Sequence, residues 1–200
     1  MTNPKLDFWF EFASTYSYLS VMRLPELASE AGVEANWKPF LLGPIFKSQG
    51  WNTSPFIVYP AKGRYMLRDM ERLAQCQGLR FRHPDPFPQN GLLAARVAQL
   101  ALETPHGSAF CQNVYLMQFD EGQNIAESEV IAACLKAAKL PTELIDQAQE
   151  TTNKHRLRET TEEAMRRGIF GAPSFTVGDE LFWGDDRLEA ALSWAIEAPS

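Results

Sequence analysis

A run of aromatic residues near the start of the chain passes at once into a helix, and this limits the fold more than any other feature. Leu6-Asp7-Phe8-Trp9-Phe10-Glu11-Phe12 sets Leu6, Phe8, Phe10 and Phe12 on one face, the alternation of a strand with a buried side. Ser14-Thr15 then offers hydroxyls suited to capping a helix, and Ser17 competes for that role. From Tyr16 to Ala31, Leu24, Leu27, Ala28 and Ala31 recur at helical spacing, and Gly32 stops the pattern. Pro25 inside it predicts a kink or a restart. A second strand is expected over about Val33 to Leu42. Strand, helix, strand is the signature of a parallel pair joined by a crossover helix.

Gly43 to Gly63 reads as a long irregular segment, punctuated by Gly43-Pro44, Gly50, Asn52, Pro55 and Pro60. Segments of that length in compact chains are usually functional. Helical patterning follows, with helices expected over Arg64–Gln77, Asn90–Leu102, Gly107–Gln118, Ser128–Ala138 and Thr142–Gly168, the last one broken. The Pro-rich run from His83 to Pro88 separates the first two. Ser174–Val177 and Glu180–Trp183 flank Gly178-Asp179, a pair suited to a tight hairpin turn. Asp185 or Asp186 then caps a final helix carrying Leu188, Ala191, Leu192 and Ala195 on one face. The expected fold class is α/β. Residues 1–45 and 165–200 form a thioredoxin-like domain, and residues 46–164 form a large all-helical insertion within it.

The chain has 200 residues, 45% hydrophobic and 22% charged, enough to bury a sizeable core. Its net charge of −6 argues against nucleic acid as a main partner. The basic clusters Lys154–Arg158 and Arg166–Arg167 read as solvated helix faces. Met1 to Leu6 lacks the basic-then-apolar pattern of a signal peptide. No run approaches the roughly 20 apolar residues of a membrane span. A soluble, cytoplasmic protein with no membrane partner is expected. Cys76, Cys111 and Cys134 are widely spaced, form no CxxC, and share no metal-ligand spacing with His83, His106 or His155. No metal is expected, and each cysteine reads as a buried structural thiol.

Three short segments carry chemistry. The first is Phe10 to Leu19. A hydroxyl at a helix start sits beside unpaired backbone N–H groups, which together with the helix dipole favour an anion. A thiol docked there has its pKa lowered, and Ser14 can donate a hydrogen bond to the resulting thiolate. Ser14 is equally suited to serve only as the cap. The second is Gly171-Ala172-Pro173-Ser174. A cis Ala172-Pro173 bond leaves the Ala172 N–H and C=O to pair with a peptide-like ligand; otherwise Pro173 simply opens an edge strand. The third is Trp183-Gly184-Asp185-Asp186, whose carboxylates can cap the last helix or receive an α-ammonium. In a thioredoxin-like fold the three segments meet at one edge.

These stretches resemble the 2-hydroxychromene-2-carboxylate isomerase family, related to kappa-class glutathione transferases within the DsbA-like thioredoxin superfamily. Asp7 to Leu19 resembles the family's opening motif. Leu41-Leu42-Gly43-Pro44-Ile45-Phe46-Lys47, Asn52 and Pro60-Ala61-Lys62-Gly63-Arg64-Tyr65 resemble its next block, and Phe170–Pro173 and Trp183–Arg187 its last two. The resemblance implies glutathione as cofactor. Ser14 matches the serine that hydrogen-bonds the glutathione sulfur. Ala172, beside Pro173, matches the residue whose backbone pairs with the cysteinyl part. Trp183, Gly184, Asp185 and Asp186 match the segment holding the γ-glutamyl end. Lys47, Asn52 and Asn90 match positions near an aromatic carboxylate substrate, which Lys47 suits by charge. The proline usual after the serine is Thr15 here.

The resemblance implies a glutathione-dependent isomerase interconverting 2-hydroxychromene-2-carboxylate and trans-o-hydroxybenzylidenepyruvate in naphthalene-type catabolism, as a homodimer. A kappa-like transferase or peroxidase shares the same cofactor site, and a non-catalytic glutathione-binding module stays open. A disulfide oxidoreductase needs a cysteine at the first helix start, where this chain has Ser14 and Ser17.

Overall fold

The computed structural model describes residues 3–197. Met1, Thr2 and residues 198–200, assigned to the thioredoxin-like domain by sequence, lie outside the described residues. Strand β1 (Lys5–Phe10) leads into helix α1 (Thr15–Ala31), which crosses to strand β2 (Glu34–Pro39). The two strands pair in parallel from Lys5↔Glu34 to Phe10↔Pro39. Strands β3 (Ser174–Val177) and β4 (Glu180–Trp183) form an antiparallel hairpin, and β3 adds antiparallel to β1. The sheet order is β2-β1-β3-β4, so the two ends of the chain share one mixed sheet. This is a thioredoxin-like fold.

Helix α1 is capped as its sequence demands. Ser14 is extended and its side chain accepts the Ser17 N–H, while Gly32 takes the left-handed conformation at the other end. Pro25 sits inside α1 without ending it.

Between β2 and β3 lie α2 (Leu42–Ser48), α3 (Pro55–Val58), α4 (Pro60–Cys76), α5 (Leu92–Ala101), α6 (Gly107–Phe119), α7 (Ser128–Ala137), α8 (Leu144–Gln147) and α9 (Thr151–Arg166). A short 3-10 turn, Asp185–Arg187, precedes α10 (Leu188–Glu197). The expectation of an irregular segment over 43–63 is corrected: it contains α2, α3 and the start of α4. Pro55 and Pro60 stand at helix starts, where a missing N–H costs no helical bond.

Both faces of β1 are buried. Leu6, Phe8 and Phe10 join the main core with Phe175, Leu188 and Tyr18, while Trp9 packs on the other side with Phe40, Ile45, Ala164 and Ile169. Each such side chain contributes about 1.5–3 kcal/mol on burial. The aromatic packing continues from Phe12 to Tyr115 and from Tyr18 to Phe119, with ring centres 5.2 and 5.4 Å apart. The sheet and the helical block therefore share one core. Cys111 and Cys134 lie in it, and burial pushes both thiols up, Cys134 to about 12. Cys76 departs from expectation and is exposed. The buried stripe of α4 is Met66, Met70 and Ala74, and position 76 falls off it. No helix of the described residues is long and apolar enough to cross a membrane.

Candidate functional site

Where β1 ends, the chain turns through Glu11-Phe12-Ala13 into α1. The Ser14 N–H donates to the Glu11 carbonyl at 2.9 Å, and the Tyr115 hydroxyl donates to the same oxygen at 2.8 Å. This locks the start of α1 over the sheet. No acidic side chain occupies the first turn of α1 itself, so no carboxylate within that turn offsets its positive end.

A cleft of about 1470 Å³ opens above this turn. That exceeds an ordinary small-ligand pocket, roughly 300–1,000 Å³, and leaves room for a peptide-sized ligand together with a second molecule. One wall comes from the sheet edge and chain ends: Glu11, Ser14, Ala172, Pro173, Trp183, Gly184, Asp185 and Asp186 all line it. The opposite wall comes from the α2–α4 region, with Phe46, Trp51, Asn52, Phe56, Lys62 and Tyr65. Asn90 and Phe87 also line the cleft, and the Asn90 Oδ1 accepts the Leu92 N–H at 3.0 Å.

Ser14 Oγ donates to the Ala172 carbonyl at 2.8 Å while accepting the Ser17 N–H at 3.3 Å. The Ala172-Pro173 peptide is cis. The Ala172 carbonyl, expected free for a ligand, is thus engaged by Ser14, whereas its N–H makes no hydrogen bond among the described residues. Gly171 lets the Trp183 indole lie against the backbone: a Cβ there would come within 2.4 Å of Trp183 Nε1. Phe170 flanks the same indole at 4.8 Å, and Trp183 is left about half exposed at the rim.

The two carboxylates differ sharply. Asp185 is buried and accepts from Ser20 Oγ at 2.8 Å, Arg23 at 3.1 Å and Gln77 at 3.5 Å. It ties the end of the hairpin to α1 and α4. Asp186 is exposed and pairs with Arg187 at 3.2 Å.

Lys47 is exposed on α2 and is not among the residues that line the cleft. The cation on the cleft wall is Lys62, at the start of α4, its Nζ 4.9 Å above the Tyr59 ring. Residues 62, 65, 66, 69 and 73 make one helical stripe facing the cleft. Tyr16 donates to Asp69 at 3.0 Å across to that stripe. Burial, then Asp69, raises the Tyr16 phenol, which stays protonated as a donor.

Glu11 carried no assigned role in the sequence. It lines the cleft, and loss of water pushes its carboxyl up to about 7 against the lowering pull of the Ala13 and Ser14 amides. The signal available was its charge at the end of a buried aromatic strand. Among the described residues no cluster of three His, Cys, Asp or Glu is arranged to hold a metal ion.

Comparison with known proteins agrees with this fold. The DSBA-like thioredoxin domain family matches residues 5–193. The chain is 28% identical over 195 residues to 2-hydroxychromene-2-carboxylate isomerase from Sphingobium xenophagum, covering 96% of this chain and 98% of that protein. It is 26% identical over 200 residues to human glutathione S-transferase kappa 1, covering 92% and 87%. The solved structure of an HCCA isomerase superposes with a TM-score of 0.84 at 25% identity, over 94% and 93% of the two chains. The chain belongs to the DsbA-like thioredoxin family, with 2-hydroxychromene-2-carboxylate isomerases and kappa-class glutathione transferases among its relatives.

Proposed function

We propose that the chain is a glutathione-dependent cis–trans isomerase acting on a 2-hydroxychromene-2-carboxylate type of substrate. The observation that carries this reading is the meeting of Ser14, the unpaired Ala172 N–H and Asp186 along one wall of the cleft, with Lys62 on the other. This donor set fits a γ-glutamyl-cysteinyl-glycine thiol. Asp186 receives the α-ammonium, the Ala172 N–H pairs with the cysteinyl backbone, and Lys62 answers a carboxylate. The chemistry glutathione supplies when bound is reversible thiolate addition to a conjugated double bond.

The chain's own residues prepare that chemistry. Ser14 and the α1 N–H groups stabilise negative charge at the helix start. To reach a sulfur anion the Ser14 hydroxyl turns away from the Ala172 carbonyl. Phe46, Trp51, Phe56 and Phe87 exclude water and hold a flat ring beside the helix start. Asp185 does not meet the ligand in this reading; it positions Gly184 and Asp186 through Arg23 and Ser20.

Calorimetric titration with glutathione, followed by an absorbance assay on the chromene carboxylate, tests the reading. Heat of binding and glutathione-dependent isomerisation are expected, and the absence of any heat overturns it. A second reading, a kappa-class-like transferase or peroxidase acting on neutral electrophiles, is favoured by the position of Lys47 outside the cleft. Conjugation of an uncharged aryl halide without isomerase activity selects it.

A further inference from the structure

The Ser14 hydroxyl has one proton, and it goes to the Ala172 carbonyl at 2.8 Å while the oxygen accepts Ser17 N–H. Even turned toward a sulfur, Ser14 donates and cannot take the thiol's proton. That proton needs an acceptor close to the start of α1.

The cleft wall offers few. No histidine and no cysteine is among its lining residues. Asp69 is taken by Tyr16 and by Arg72 at 2.9 Å. Asp185 is held by Ser20 and Arg23, and Asp186 by Arg187. Lys62 is a cation, and Tyr16 and Tyr65 are phenols. Glu11 differs from all of these. It stands three residues before Ser14, its Oε2 accepts the Ala13 N–H at 3.0 Å, and only backbone amides, with no cationic side chain, lower its carboxyl. Its backbone is fixed by Tyr115 and Ser14, so the carboxyl is held at the turn.

Resting on the glutathione reading above, we propose that Glu11 is the proton acceptor that converts a thiol bound at Ser14 into its thiolate. The S–H bond breaks, the proton passes to the Glu11 carboxylate directly or through one water, and the electron pair stays on sulfur. The reverse transfer restores the thiol before release. The Glu11–thiol pair carries one negative charge before and after the transfer, so the two partners are never both ionised. A base serves best when its pKa lies near the working pH, and burial brings Glu11 to about 7. The groups around it keep it there. The α6 side contributes the neutral Tyr115 hydroxyl, the α5 side contributes Gly91, which has no charge, and the α1 side contributes amides only.

The test uses the full chain with reduced glutathione at mildly alkaline pH, comparing wild type with Glu11→Gln. Thiolate is read by its ultraviolet absorbance. Proton balance is read by calorimetry in buffers of different ionisation enthalpy. The wild type is expected to form bound thiolate with almost no proton released. In Glu11→Gln the thiolate fraction is expected to fall about tenfold, or each thiolate formed to release a proton to the buffer. The proposal is overturned if the wild type releases a proton for each thiolate, forms none, or is matched by the variant in both readouts. Absence of any glutathione binding by the wild type sinks the cofactor reading instead. A carbon-13 NMR titration of the wild-type glutamate carboxyls keeps the test open should the variant not fold. The Glu11 midpoint must rise on adding glutathione, and a fixed midpoint rejects the proposal.

Discussion

Replacing Glu11 with glutamine should stabilise the fold, and only above a definite pH. The glutamate carboxyl ordinarily titrates near 4.5 and in the folded chain titrates at about 7, because the turn strips water from it. A raised folded pKa means that the folded state holds the proton more tightly than the unfolded state. Its favourable contribution is complete below about 4.5 and is lost as pH rises through about 7. Every tenfold change in proton affinity is worth about 1.4 kcal/mol, so ionising Glu11 costs at most about 3 kcal/mol, less whatever cleft water relieves. Glutamine never ionises and keeps an oxygen for the Ala13 N–H, now 3.0 Å from Oε2. The stability difference between the two proteins should therefore be small at pH below about 4.5 and grow to between about 1 and 3 kcal/mol above neutrality. Urea unfolding at a series of pH values measures it, with the midpoint of the variant higher by about 0.5–1 M at alkaline pH. Every other ionisable group is common to the two proteins and cancels. Parallel curves, or a wild type more stable at alkaline pH, refute the reasoning.

Ser14→Ala removes both the helix cap and the donor to Ala172; a loss of about 1–2 kcal/mol in thermal unfolding is expected, with bound thiolate reduced about tenfold in ultraviolet titration. Lys62→Ala should weaken glutathione binding several-fold by calorimetry while Lys47→Ala leaves it unchanged, and the opposite ranking would place the working cation on α2. Asp185→Asn leaves Arg23 facing a neutral amide in a largely buried network. It should cost about 2 kcal/mol in chemical unfolding and weaken glutathione binding through the displaced Gly184–Asp186 segment. Gly63→Ala drives a methyl to 2.4 Å from the Phe56 carbonyl; α3 must separate from α4, and a thermal midpoint unchanged from wild type would contradict that close approach.

The sheet was legible because its strands are coded by their own side chains. Phe8 and Phe10 alternate with Trp9, and once Trp9 also needed covering, helices on both faces were required. The hairpin was legible from Gly178, whose φ of 58° suits a residue without Cβ. The segment 43–63 was misread because its prolines were counted as breakers. Pro55 and Pro60 open helices, and a proline at the first helical position and one in a loop look alike until the following residues find packing partners. Lys47 stands off the cleft lining for a simpler reason. Ile45 is the buried residue of α2, and a residue two positions on is rotated about 200° around the axis, away from the core. The face of α4 that meets the cleft, from Lys62 to Leu73, mixes a cation, a phenol, a thioether, a carboxylate and an aliphatic group, so it carries no periodic hydrophobic signal. Glu11 was hidden by its neighbours: between Phe10 and Phe12 an acidic residue reads as the solvent side of an alternating strand. The strand in fact ends at Phe10, which turns the same residue from a solvated edge into a desolvated carboxyl on the cleft wall. Core positions are specified by local periodicity, whereas these site residues stand where one element stops and another begins, and their neighbours come from distant parts of the chain.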